Sequence, residues 1–132
     1  MNIALCLARS AQRYPQQAAI AHGTEVWCDY AEFGRRAART AHWLRSQGVQ
    51  GGDRVVLFMH NAPEYLPLMW GIWWCGAVAV PVNAKLHLRE LQWIVDNAQA
   101  RWAFVTADVL PGCCDPGPSG PRLLPNGPGH WH

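Results

Sequence analysis

GGDRVVLFMHNAPEYLPLMWGIWWCGAVAVPV, residues Gly51–Val82, decides the fold. After its first residue, Arg54–Met59 (RVVLFM) is a continuous apolar run. Such a run suits a strand in the middle of a parallel sheet, covered on both faces. Asn61 then reads as a helix N-cap, with Pro63 in the first turn and Glu64 completing a capping box. At Gly76 the pattern changes from bulky Trp, Leu and Met to the small and β-branched run Ala77–Val82, a second buried strand. Strand, helix and strand in succession imply a parallel α/β sheet. Tyr65–Ala84 carries no charge and has about the length of a membrane span. However, Pro67, Gly71, Gly76 and Pro81 interrupt it, so a buried helix, a turn and a buried strand are expected instead of a span.

Upstream, Ile3, Leu7, Ala11 and Tyr14 recur at helical spacing, and Pro15 ends that helix. Ala18–Ala21 and Glu25–Cys28 read as short strands around the turn His22-Gly23-Thr24. Asp29 reads as an N-cap with Glu32 in a capping box, and Phe33, Ala37, Ala41 and Leu44 form one apolar stripe. Gly48 is placed to end that helix in a left-handed conformation. Downstream, a helix is expected over Leu88–Ala98, with Leu88, Leu91, Val95 and Ala98 on one face. Trp102–Thr106 reads as a last strand. From Leu110 the rhythm stops: eleven of the last 23 residues are Gly or Pro. A stretch of that kind lacks regular backbone bonding and is expected to be disordered. The expected organisation is an α/β domain over residues 1–109 and a disordered Gly/Pro-rich tail over 110–132.

The length, 132 residues, suits one small domain. A formal net charge of +2 is too weak to argue for a nucleic-acid partner, and none is expected. Five cysteines (Cys6, Cys28, Cys75, Cys113 and Cys114), an odd number without CxxC spacing, argue against a disulfide framework. A reducing, cytoplasmic setting is expected. The N-terminus does not match a signal peptide, because its apolar run Ile3–Ala8 is short and Arg9 follows it.

Three runs, in order and at natural spacing, resemble the opening of the adenylate-forming ligase superfamily, the AMP-dependent synthetases and ligases that include acyl-CoA synthetases. They are YPQQAAIAHG (Tyr14–Gly23), DYAEFGRRAARTAHWLRSQGVQGGDRVVLFMHNAPEYL (Asp29–Leu66) and WCGAVAVPVNAKLHLRELQWIVDNAQARWAFV (Trp74–Val105). Two departures stand out. His87 occupies a helix start where the family places Ser or Thr, and Trp70, Trp73 and Trp74 replace the usual Ala and Leu. The fold implied is a parallel-sheet-containing part of the N-terminal subdomain of such an enzyme.

The resemblance also implies chemistry for the full-length family. A carboxylic acid reacts with ATP and Mg²⁺ to give an acyl-adenylate and pyrophosphate, and the acyl group then passes to CoA. The acid itself, whether fatty, aryl or short-chain, is left open. That chemistry needs amides, a hydroxyl and a cation aimed at phosphate oxygens. The family takes them from a Ser/Thr/Gly-rich loop ending Pro-Lys-Gly, a Tyr-Gly-x-Thr-Glu motif, an Asp and a late Lys. None of these is present, and no GxxxxGK[ST] occurs either. This N-terminal fragment is therefore expected to have no catalytic residue, to bind none of ATP, Mg²⁺ and CoA in the family's way, and to be inactive alone.

Lys85 is the only lysine. The resemblance implies that Asn83 and Lys85 form part of an edge near the CoA nucleotide. The residues by themselves read as a turn cap and a solvated cation, and that reading is the preferred one. Cys113 and Cys114 with His130 and His132 carry soft-metal ligands, but adjacent cysteines on a Pro/Gly spacer make a poor preformed site, so no metal is expected. Arg35, Arg36, Arg39 and Arg45 read as a solvated basic face. His42 and His60 have no evident catalytic partner in the sequence. The rival readings are a non-catalytic α/β interaction module and a frame-shifted product with an unrelated tail. A severed fragment would also expose an apolar face and self-associate through it.

Overall fold

A computed structural model describes residues 2–106, 108–109 and 121–125. The chain divides into two compact units, one built from residues 1–52 and 61–77 and the other from 53–60 and 78–132.

The first unit contains α1 (Ala4–Arg13), the hairpin β1 (Ala18–His22) and β2 (Glu25–Asp29), α2 (Tyr30–Ser46) and α3 (Tyr65–Trp74). The hairpin is antiparallel, with His22 opposite Glu25, as the His22-Gly23-Thr24 turn predicts. Its core joins Leu7, Ile20, Cys28, Phe33 and Ala37, with Trp27, Leu66, Trp70 and Trp74 packed around them. The Trp residues of α3 meet edge to face: Phe33 and Trp70 lie 6.1 Å apart and Trp70 and Trp73 lie 5.0 Å apart between ring centroids. In α1 the buried face is Ala4 and Leu7, whereas Ile3 and Tyr14 are exposed. Both expected stripe members are cap residues just outside the helix, so their side chains leave its face.

The expected stripe of α2 is correct: Phe33, Ala37, Ala41 and Leu44 are all buried. Asp29 Oδ1 accepts from the Glu32 N–H at 2.9 Å. The expected capping box is only half formed, because the Glu32 carboxylate turns instead to Arg35, Arg36 and Arg39 at 2.8, 3.1 and 3.1 Å. A carboxylate prefers cationic donors over a neutral amide. A second capping box, from Asn61 to Glu64, does not form. The Tyr65 N–H donates to Ala62 C=O at 3.0 Å, and Glu64 occupies the N-cap without a side-chain bond. Ala62 precedes Pro63, and that position disfavours helical dihedrals, so the helix starts later.

α2 and α3 both end in Schellman motifs. After α2, the Val49 N–H reaches Leu44 C=O at 3.0 Å and the Gly48 N–H reaches Arg45 C=O at 3.1 Å. After α3, Ala77 reaches Ile72 at 3.0 Å and Gly76 reaches Trp73 at 2.9 Å. Gly48 and Gly76 carry φ of 102° and 83°.

The second unit contains β3 (Arg54–Phe58), β4 (Val78–Pro81), α4 (Leu88–Asn97), β5 (Trp102–Val105) and β6 (Arg122–Pro125). The strands form one sheet in the order β4-β3-β5-β6. β3 is parallel to both β4 and β5, with Val56 opposite Val80 on one side and Ala103 on the other. Val55, Val56, Leu57 and Phe58 are fully buried, as a continuous apolar run predicts for a central strand. Val56, Phe58, Ala103 and Val105 join Leu91 and Val95 of α4 in a single core. Leu86 packs in the same core, one position before the N-cap of α4, and so staples the helix start to Leu91. His87, the expected departure from a Ser or Thr cap, stands at the N-cap, where its N–H donates to Glu90 Oε2 at 3.1 Å.

The strand start is fixed as well. Arg54 Nη1 donates to Ala98 C=O at 2.8 Å, and the Val78 N–H donates to Asp53 C=O at 2.8 Å. α4 also ends in a Schellman motif, with Ala100 to Val95 at 2.9 Å and Gln99 to Asp96 at 3.1 Å. Here the left-handed residue is Gln99, at φ 54°.

The expected disordered tail, 110–132, lies mostly outside the described residues. Within it, Arg122–Pro125 departs from that expectation and pairs antiparallel with β5. The open edge of β5 supplies donors and acceptors for the strand, and Leu123 and Leu124 are partly buried. The Tyr65–Ala84 stretch divides into α3 and β4, and no helix among the described residues is long and apolar enough to cross a membrane.

Two substitutions test these determinants. A Cβ on Gly71 would lie 2.5 Å from Thr40 Cγ2 and 3.1 Å from the Ala37 carbonyl oxygen. Gly71→Ala is therefore expected to lower unfolding stability by about 1–3 kcal/mol, read from urea melts. Gln99→Gly is expected to raise it by about 1 kcal/mol, because glycine has no left-handed penalty.

Candidate functional site

In open α/β sheets, ligands gather outside the carboxyl ends of the parallel strands. In the second unit those ends lead into Met59–His60 after β3, Val82–Lys85 after β4 and Thr106–Asp108 after β5. Because β3 lies between β4 and β5, the three exits are neighbours. They bring Asn83 and Lys85, found from the sequence, to the same edge as His60 and Asp108.

Asn83 Oδ1 accepts from the Lys85 N–H at 2.9 Å, and the Leu86 N–H donates to Asn83 C=O at 3.1 Å. Asn83 thus caps a tight turn that carries the chain from β4 to α4. Lys85 is exposed on that turn. His60 Nε2 lies 3.6 Å from Asp108 Oδ2, with both side chains more than half exposed. Sequence reasoning gave His60 no partner, since residues 48 apart meet only through the β3–β5 pairing. The Thr106 hydroxyl oxygen is buried and has no hydrogen-bond partner among the described residues. This edge offers a fixed amide, one ammonium group and an exposed His–Asp pair. Those groups can hold an anion, but no nucleophile aligned with a base is formed.

The basic face of α2 is partly offset by Glu32, which binds three arginines, and Arg36 lies 4.4 Å above the Trp27 ring. The Arg35 hydrogen bond, aided by the charges of Arg35, Arg36 and Arg39, holds the Glu32 carboxyl below its ordinary range. Burial raises the Cys28 thiol, and Cys6 is exposed. Cys113, Cys114, His130 and His132 lie outside the described residues. Among the described residues, no three His, Cys, Asp or Glu side chains cluster to hold a metal.

The sequence profile of the AMP-binding enzyme family matches residues 7–123. The chain belongs to the AMP-binding enzyme family. The match continues past Val109 and into β6. A crotonobetaine/carnitine–CoA ligase of Citrobacter koseri is 35% identical over 82 residues, 62% of this chain and 16% of that protein. Among solved structures, the inhibitor-bound N-terminal domain of FACL13 from Mycobacterium tuberculosis superposes with a TM-score of 0.71 at 35% identity, over 77% of this chain and 26% of that one. A benzoate CoA ligase from Burkholderia xenovorans LB400 gives 0.71 at 27% identity, over 76% and 20%. The chain therefore spans 16% of the length of the curated relative and about a quarter or less of the solved ones. The mixed α/β architecture expected from the sequence agrees with both solved structures.

The turn at Asn83 can be tested directly. Asn83→Ala is expected to cost about 1 kcal/mol of stability, because the Lys85 N–H loses its acceptor. Asn83→Asp, which keeps an oxygen at that position, is expected to stay close to wild type in the same urea melts.

Proposed function

We propose that this chain forms a scaffold portion of an adenylate-forming acid–CoA ligase and that the Asn83–Lys85 turn borders the CoA nucleotide. In the full reaction a carboxylate displaces pyrophosphate from ATP to give an acyl-adenylate, and the CoA thiol then displaces AMP. The observation that carries this reading is the family match over residues 7–123, combined with the Asn83–Lys85 turn at the carboxyl edge of the parallel strands.

The residues present do not fit ATP with Mg²⁺. There is no Ser/Thr/Gly-rich loop, and no acidic cluster occurs among the described residues. No phosphoryl chemistry is assigned to this chain. CoA fits better at one point. Asn83 uses its oxygen on the Lys85 N–H, so its Nδ2 donors and the Lys85 ammonium are what the turn offers to a CoA phosphate. The chain's own contribution is to hold that cation and amide on a rigid turn between β4 and α4. A cytoplasmic setting fits this reading.

Two measurements on the purified chain test it. Incubation with ATP, Mg²⁺ and a panel of fatty, aryl and short-chain acids is expected to release pyrophosphate only at background. Release above background would reject the inactive-scaffold reading. Calorimetric titration with CoA is expected to show weak binding that Lys85→Ala removes and Lys85→Arg largely retains. Equal binding by all three would remove the turn from the CoA site.

A further inference from the structure

One cavity of the second unit lies at the end of the sheet opposite the Asn83–Lys85 turn, where α4 stops and β5 begins. It holds about 520 Å³, within the size range of small-molecule sites, and is lined by Asp96, Gln99, Ala100, Arg101, Trp102 and Pro125. Its polar groups are mostly unspent donors. The Trp102 Nε1–H is buried and has no hydrogen-bond partner among the described residues. A native group left in that state calls for a physical reason. Arg101 reaches Asp53 only at 3.8 Å, beyond hydrogen-bond distance, so its guanidinium donors stay open. Gln99 takes Arg54 Nη1 on its Oε1 at 3.5 Å, which leaves its Nε2 donors. Against these stands one carboxylate, Asp96, whose Oδ1 already accepts from Gln92 Nε2 at 2.8 Å.

Gln99 gives a second, independent sign. Its φ is 54°, a conformation that glycine adopts without strain. Strained positions of this kind gather at ligand sites. A glycine there would be less strained, but it would take the amide out of the cavity. The donor set then selects the ligand. Three donor-bearing side chains call for an acceptor with several lone pairs, and a carboxylate takes a guanidinium in a fork of two bonds. Arg101 and Asp96 offset each other in charge, so the lining carries no surplus for a dianion such as phosphate. Ala100, Pro125 and the Trp102 ring supply apolar walls. We propose that this cavity binds a small monocarboxylate with a flat apolar body, its oxygens held by Arg101, Gln99 and Trp102. The proposal does not rest on the acid–CoA ligase reading, because the cavity lies at the other end of the strands.

Benzoate is the probe, and the whole chain is followed by nitrogen-15 NMR with the Trp102 indole N–H as reporter. Titration is expected to move that resonance saturably, with a Kd of about 1 mM, the scale for a fragment of this size. Benzamide keeps the ring and one acceptor but loses the charge. It is expected to bind at least ~10-fold more weakly, since charge-assisted bonds are the stronger ones. Benzylamine, the cationic counterpart, is expected not to bind. Arg101→Gln, at a side chain 66% exposed, is expected to leave the fold intact and to weaken benzoate binding at least ~10-fold. Gln99→Gly separates binding from stability: it raises stability, as predicted above, and is expected to weaken benzoate binding by ~3-fold or more. A Trp102 resonance that benzoate leaves in place would overturn the proposal. So would a Kd unchanged in either variant, or benzamide or benzylamine binding as tightly as benzoate.

Discussion

The bond from the residue after a helix back to a carbonyl in its last turn recurs three times, and the order of the chain depends on it. Leu44, Ile72 and Val95 each accept from an N–H five residues on. In each case the residue between helix and exit has positive φ, and the donor (Val49, Ala77 or Ala100) is buried. One geometric device thus closes α2, α3 and α4. It satisfies carbonyls that would otherwise be stranded and reverses the chain while placing an apolar residue at the exit. β4 and β5 begin within two residues of such an exit, so the reversal also sets where their pairing with β3 starts.

The sequence carried this device unequally. Gly48 was legible because glycine is the residue that reaches left-handed φ without strain. Gly76 was read as a turn for the same reason. Gln99 was not legible, since nothing in its chemistry announces positive φ; the two Schellman bonds around it, and an Arg54 Nη1 bond to its Oε1 at 3.5 Å, hold it there. The apolar runs gave the strands well, because a central parallel strand is buried on both faces and leaves no polar position to confuse its pattern. Capping boxes were harder to read. Spacing finds a carboxylate within reach of an N–H, but it does not reveal a better partner. At Glu32 that partner is a set of three arginines, and at Asn61 the obstacle is the proline two residues on.

The candidate site divides in the same way. Asn83 and Lys85 are two positions apart in sequence, so their turn could be read from local chemistry. His60 and Asp108 meet only because β5 pairs with β3, and strand order is not written in either residue's neighbourhood. β6 was missed for a related reason. Gly and Pro around Arg122–Pro125 reduce any local preference for a strand, while the open edge of β5 supplies order from outside the segment.

These constraints also determine what the carboxyl edge can recognise. Asn83 gives its oxygen to the Lys85 N–H, and Lys85 adds a positive charge within the same turn. Both groups therefore present donors or positive charge, and the turn favours an anion over a metal ion. Asp108 carries the opposite charge on a neighbouring exit, but it lies against His60, which balances it when protonated. On the reading proposed above, the preference belongs to phosphate and not to the magnesium ion of the adenylation step. On that same reading, the scaffold would contribute to the acceptor side of the reaction.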